Sequence, residues 1–248
     1  MLIALVARRV RVLSAGGSAA AIGVGVAATV AGWSWAFLLV LYFISSVGLT
    51  QYRAAAKAAR TEAVGAKGGA RDARQVIANG GVFALAAVFW LVSGWDGWRA
   101  LGAGALAAAT SDTWATEVGT LAGRAPRSVV SGRRVPTGTS GAVSAAGLAA
   151  AVAGAAFLAL AALAVEWPAG AAAAGFAGGI AGSTIDSLLG ATLQARRWCD
   201  ACCAPTERET HVCGSCTRVV GGIAWLDNDA VNALSTAAGG VLGLLVGA

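Results

Sequence analysis

Seven apolar stretches, each long enough to cross a lipid bilayer, constrain this chain more than any motif in it. They cover roughly residues 14–31, 33–49, 77–94, 98–122, 140–164, 168–193 and 229–247, and an apolar run of about 18 or more residues is the mark of a spanning helix. At 57% hydrophobic and 12% charged residues, the chain is too apolar for an ordinary soluble domain. The expected fold is therefore all-α: a polytopic transmembrane bundle of about seven helices forming one domain over residues 1–248. Six is the alternative count, because Gly32-Trp33-Ser34 leaves almost no loop between the first two stretches. The preceding MLIALVARRVRVL is too short to span, and no small-residue cleavage site follows it, so it is expected to be retained.

Positive charge orients the bundle. With the N-terminus in the cytoplasm, Arg8, Arg9 and Arg11, the run from Arg53 to Arg74, Arg124 to Arg134, and Arg196 to Arg218 all fall on the inner side. Of the 18 Lys and Arg, only Arg99 then lies outside. The same asymmetry accounts for the net charge of +6, and no nucleic-acid motif accompanies it. A bacterial-type cytoplasmic membrane is the expected location. Trp33, Trp35, Trp95, Trp98 and Trp167 fall at outer helix ends and Trp198 and Trp225 at inner ones, the positions of interfacial anchors.

Against that background the acids inside the helices stand out. ATSDTWATEVG places Asp112 and Glu117 in the fourth stretch, and GSTIDSLLGATLQ places Asp186 in the sixth, with Ser183, Ser187, Gly190 and Gln194 recurring at helical spacing. A carboxylate in hydrocarbon is costly and normally faces a bundle interior or a wet cavity. Asn79 opens the third stretch, and Asp229 and Asn232 open the last. Asp112 lies about ten residues, or roughly 15 Å, from the inner end of its helix, so four helices aim oxygen or amide groups at one depth on the cytoplasmic side. Oxygen-rich sets of this kind suit Mg²⁺, which takes one or two carboxylates and leaves its other positions to water and phosphate.

The inner loops carry phosphate chemistry. RAPRSVVSGRRVPTGTSGAVS supplies Arg124, Arg127, Arg133 and Arg134, then Thr137, Gly138, Thr139, Ser140 and Gly141 leading into the fifth stretch. Free N–H groups and the positive dipole end of a helix favour an anion there. No clear repeat relates the two halves of the chain, and the acids sit toward one face. Both points weigh against a transporter, the reading from a different class.

Five blocks, KGGARDARQVIANGG, SDTWATEVG, VPTGTSGAVSAAG, GSTIDSLLGATLQ and LDNDAVNALS, occur in this order. Together they resemble the integral-membrane family known as domain of unknown function 92, which includes transmembrane protein 19 and the plant phytyl-phosphate kinase. The resemblance covers residues 14–247. It implies phosphoryl transfer from a nucleoside triphosphate, CTP above all, to an isoprenoid monophosphate embedded among membrane lipids, giving the diphosphate. In that scheme Asp112, Glu117 and Asp186 hold Mg²⁺, with Asn79, Ser183, Asp229 and Asn232 completing the site. Arg127, Arg133, Arg134 and Thr137 to Gly141 bind phosphates. A CTP-dependent cytidylyltransferase acting on a lipid phosphate is the alternative within enzymes.

The cysteines form a separate signal. In CDACCAPTERETHVCGSC the pairs Cys199/Cys202 and Cys213/Cys216 are separated by ten residues, the spacing of a small zinc ribbon. A cytoplasmic position disfavours disulfides. The expectation is a structural Zn²⁺ on these four thiolates in an insert at residues 197–220, with Cys203 and His211 as spare ligands.

Overall fold

The computed structural model describes residues 2–61, 64 and 69–247, with nine helices and five short strands among them. In chain order these are α1 (Leu2–Arg9), α2 (Ala15–Ala31), α3 (Trp33–Gln51), α4 (Ala54–Thr61), α5 (Ala73–Ser93), α6 (Gly97–Leu121), β1 (Arg127–Ser128), β2 (Ala142–Val143), α7 (Ala145–Ala164), α8 (Ala169–Thr192), β3 (Arg196–Cys199), β4 (Ala204–Thr206), β5 (Arg218–Gly221) and α9 (Asn228–Gly247). Each expected apolar stretch holds one long helix, but the boundaries shift where local chemistry intervenes. α5 begins at Ala73 because Asp72 caps it, accepting from the Gln75 N–H at 3.0 Å. α7 begins only at Ala145, where the Ser144 hydroxyl accepts from the Gly147 N–H at 3.1 Å.

The all-α expectation needs correction. The segment ahead of α7 folds back as an antiparallel β1–β2 pair, and the cysteine insert is a three-stranded sheet in the order β4-β3-β5. Both segments lack a helical apolar period, and their backbone N–H and C=O groups pair with each other instead. By length and composition α3, α5, α7 and α9 are apolar enough to cross a membrane. α2 is apolar but has only 17 residues, while α6 and α8 have the length but carry the acids and hydroxyls of the interior.

Large apolar side chains cover the outside of the bundle, and a few hydroxyls sit among the small apolar residues of its core. Val26, Val30, Leu85, Val92, Leu160 and Leu245 point outward and are exposed, whereas Thr110, Ser111, Ser183, Ser235 and Thr236 are buried. The centre is α6, α8 and α9, with α7 against α6 and α8, and with α2 and α5 packed together alongside. Glycine sets the spacing of the centre. A Cβ on Gly178 would stand 2.7 Å from the Gly104 Cα and 2.3 Å from the Gly239 carbonyl oxygen, so the three backbones touch. One turn further on, a Cβ on Gly182 would lie 2.4 Å from that of Ala108. α6 and α8 therefore run parallel and in register, Gly104 beside Gly178 and Ala108 beside Gly182.

Trp35 and Trp167 are not interfacial anchors. Both are buried, with ring centroids 4.6 Å apart, and Trp35 also stacks on Phe83 and Trp90. The Trp167 indole N–H donates to Ser34 at 2.9 Å, which ties the turn between α7 and α8 to the start of α3. Trp33, Trp95 and Trp225 are exposed, in keeping with the anchor reading.

Candidate functional site

One further step of four residues along the parallel register brings Asp112 opposite Asp186. Their carboxyls are in hydrogen-bonding contact. The Ser235 hydroxyl on α9 donates to Asp186 Oδ2 at 3.1 Å. Two carboxylates in contact repel one another, and a cation between them would offset that repulsion.

The register is written in the sequence as a ten-residue repeat, AGALAAATSD at 103–112 and AGGIAGSTID at 177–186. Small residues at the first positions let the helices touch, and the last position supplies the acid. This repeat is the signal that pairs Asp112 with Asp186.

The pair lines a cavity of about 360 Å³ between α6, α7 and α8, closed at one end by the segment from Pro126 to Ser144. Ser183, Thr184 and Ser187 of α8 and Thr116 of α6 add hydroxyls to its wall, and Thr137, Gly138, Thr139, Ser140 and Gly141 form its rim. Gly141, at φ +72°, is obligatory there, since a Cβ would sit 2.4 Å from the Ala191 N and 2.5 Å from the Ser187 carbonyl oxygen. Gly190 accommodates the same approach from the α8 side.

At the rim Ser140 is the hub. Its N–H donates to Glu207 at 3.2 Å, its hydroxyl donates to the same carboxylate oxygen, and Gln194 donates to the hydroxyl at 2.8 Å. Glu207 follows β4, so the cysteine insert reaches into the cavity. Burial pushes the Glu207 carboxyl above its ordinary range, only partly offset by the two Ser140 hydrogen bonds.

Several expected site residues lie elsewhere. Glu117 does not line the cavity. It stands five residues beyond Asp112, about 140° round the helix, and faces α3 and α4, where it forms an ion pair with Lys57 and accepts from Thr50 at 2.7 Å. Lys57 also donates to the Leu49 and Thr50 carbonyls, closing the end of α3. Arg127, Arg133 and Arg134 are exposed, and Arg127 Nη1 donates to the Gly132 carbonyl at 2.7 Å, so the hairpin consumes it. No Lys or Arg lines the cavity among the described residues.

Asn79 sits in a different, apolar groove and donates to the Gln75 carbonyl at 2.9 Å. Asp229 is buried at an adjoining cavity of about 350 Å³, and Asn232 lines neither space. Asn228, one turn before Asn232, takes the place at the main cavity. Gln75, Gln194, Glu207 and Asn228 are the amide- and carboxyl-bearing lining residues absent from the expected site. Gln194 lay on the polar stripe of the sixth stretch, whereas nothing in the local sequence marks Glu207. Lys67 and Gly68, which open the block containing Asn79, lie outside the described residues.

In the insert, Cys199, Cys202, His211 and Cys213 bring their ligand atoms within 4.8 Å of one another. The Cys199 and Cys213 sulfurs are 3.7 Å apart and His211 Nδ1 is 3.2 Å from Cys213 Sγ. Zn–S bonds of about 2.3 Å in a tetrahedron place thiolates about 3.8 Å apart, so the cluster is compatible with zinc. Cys216 lies outside this group of four, and His211, one of the two spare ligands, stands within it. The Ser215 hydroxyl, then His211, pull the Cys213 thiol down to about 5, while hydrogen bonding with Cys213 pushes Cys202 up to about 11. A thiol already ionised at neutral pH is what a metal site needs.

Comparison with known proteins places this geometry. The family model described as "Integral membrane protein DUF92" matches residues 1–240. The chain is 28% identical over 232 residues to Protein PGR of Arabidopsis thaliana, covering 83% of this chain and 78% of the relative. It is 29% identical over 224 residues to an uncharacterized membrane protein of Methanocaldococcus jannaschii, covering 87% and 77%. No solved structure matches.

Proposed function

The chain belongs to the DUF92 integral membrane family, and from that premise we propose that it is a membrane-embedded kinase. It transfers a phosphoryl group from a nucleoside triphosphate, CTP by preference, to an isoprenoid monophosphate. The observation that supports this most is the contact of Asp112 with Asp186 beneath a rim of Thr137 to Gly141. The isoprenoid acceptor rests on the likeness of the five sequence blocks to the plant phytyl-phosphate kinase.

Asp112 and Asp186 would hold Mg²⁺, which would offset the charge that builds up in phosphoryl transfer. Ser235 steadies Asp186 through its hydroxyl. The rim, with no cation of its own, offers N–H and O–H donors to phosphate oxygens. An oxygen of the acceptor phosphate attacks the γ-phosphorus, the bond from that phosphorus to its bridging oxygen breaks, and nucleoside diphosphate leaves. Because the acceptor is already an anion, no strong general base is required. In the same reading the chain crosses the membrane seven times with its N-terminus and cavity on the cytoplasmic face. Structural zinc occupies the Cys199, Cys202, His211 and Cys213 cluster.

The test is an assay of purified protein with Mg²⁺, labelled CTP or ATP and a panel of prenyl monophosphates, run beside Asp112→Asn. The expected products are prenyl diphosphate and nucleoside diphosphate, formed by the wild type alone. Release of pyrophosphate would instead mark a cytidylyltransferase, and absence of turnover alongside Mg²⁺-dependent flux would mark a transporter.

A further inference from the structure

Between α2, α3 and α5 lies a second space, a groove of about 190 Å³. Val24 and Gly25 of α2, Leu39 and Phe43 of α3, and Val76 of α5 give it apolar walls. Gly25 adds to its width, since a Cβ there would meet nothing within 4 Å. The helices leave this space because α2 leans on α5, while α3 is held through Trp35 at its far end.

The groove changes character toward the start of α5, where Tyr42, Arg71 and Gln75 line it. Gln75 lines both the groove and the cavity of the acid pair, so the two spaces adjoin across one side chain. Tyr42 lies within electrostatic range of both Arg71 and Asp112. Among the described residues lining the two spaces, Arg71 is the one cation, and its guanidinium donates to the Thr50 hydroxyl at 3.3 Å.

We propose that this groove seats the hydrocarbon chain of the acceptor, a single-chain amphiphile whose anionic phosphate passes Arg71 and Gln75 to reach Asp112 and Asp186. The assignment rests on the phosphoryl-transfer reading for the identity of the headgroup. Three features select the occupant. The walls are apolar and the end at Arg71 and Gln75 is polar, which matches an amphiphile lying lengthwise. The one cation among the described lining residues, Arg71, stands at the junction, where a monophosphate would arrive. A cavity of about 150 Å³ holds one benzene-sized molecule, so this groove admits one or two isoprene units of a single chain and not the paired chains of a phospholipid.

The experiment fills the groove. Gly25→Trp places an indole in open space, and Leu39→Trp does so from the opposite wall. Each full-length variant, in detergent, is titrated with geranylgeranyl monophosphate, dimethylallyl monophosphate and a two-chain phosphatidic acid. Mn²⁺ binding at the acid pair serves as the check that the bundle is intact. The expected result is a loss of about tenfold or more in affinity for geranylgeranyl monophosphate, equivalent to losing the burial of two or more methylenes. Affinity for dimethylallyl monophosphate falls by no more, since its single isoprene unit buries no more of the groove than the longer chain does. Arg71→Gln weakens both single-chain ligands.

Unchanged affinity for geranylgeranyl monophosphate in both Trp variants, with Mn²⁺ binding retained, would overturn the assignment. So would phosphatidic acid binding the wild type as tightly as the single-chain ligand. The two readings fail separately. Chain-selective binding without phosphoryl transfer sinks the kinase and leaves the groove, whereas full transfer to the long-chain acceptor by Gly25→Trp sinks the groove and leaves the kinase.

Discussion

Asp112 and Asp186 meet because Gly104 and Gly178, two turns earlier on their parallel helices, meet first. The site is therefore a product of helix register, and each acid depends on the other for its environment. Asp112→Asn and Asp186→Asn are each expected to lower Mg²⁺-dependent turnover by about a hundredfold or more. The double variant should cost little beyond either single one, because the two residues act as a unit. Steady-state turnover read beside Mn²⁺ binding checks this, and additive losses would show that the acids work independently.

The ion pair of Lys57 with Glu117 predicts the opposite profile. Both side chains are largely buried, and removing one partner leaves an uncompensated charge, costing about 3–5 kcal/mol. Glu117→Gln and Lys57→Met should lower thermal stability in detergent while turnover per folded molecule stays within about threefold. A Glu117→Gln protein of normal stability and lost activity would return Glu117 to the metal site.

Ligand exchange in the insert is expected to separate His211 from Cys216. His211→Ala should weaken zinc binding by about tenfold or more, while Cys216→Ser leaves it close to the wild-type value. Competition against a chromophoric chelator measures both. A larger effect from Cys216→Ser would restore the four-cysteine set.

Glu207 gives the rim a pH dependence. Its carboxyl is raised in the folded protein, chiefly by burial, so the docked state is favoured at low pH, and that contribution fades as pH rises through the raised value. Amide exchange at Thr137 to Gly141, corrected for its intrinsic pH dependence, should accelerate across that range in the wild type. Glu207→Gln should flatten the change; an identical profile would show that the insert does not hold the rim.

Gly178→Ala is expected to destabilise the bundle by about 1–3 kcal/mol, because the methyl would collide with the Gly239 carbonyl and the Gly104 backbone. Gly23→Ala, where nothing lies within 4 Å, serves as the control and should be neutral or slightly stabilising. Equal effects from the two would mean that the three-helix contact is looser than the structure has it.

The positions of the long helices were legible because apolar length is a local property, and so was the placing of Asp112 and Asp186 inside two of them. Rotation about the helix axis was less so. Glu117 looked equivalent to Asp112 until the neighbours of each face were known, and Lys57 sits on a separate short helix with no sequence link to it. The hairpin arginines shared the loop of Ser140, but which side of a two-residue ladder faces the cavity depends on where β2 pairs. His211 stands with Cys199, Cys202 and Cys213 where the spacing pointed to Cys216, because a CxxC spacing does not fix which side chains of the loop converge. The repeat ending in Asp112 and Asp186 was readable throughout, masked by an alanine- and glycine-rich background in which short matches carry little weight.

The parallel course of α6 and α8 has a topological corollary. Under the proposed seven-crossing topology, two copies of a helix can present the same end to the same leaflet only if an odd number of crossings separates them, and α7 would be that single return. A helical hairpin is thus the smallest segment whose tandem copying would set a second carboxylate beside the first without inverting either. Losing α7 alone would strand the two acids on opposite sides of the bilayer, so a helix that supplies neither of them decides whether they can share an ion.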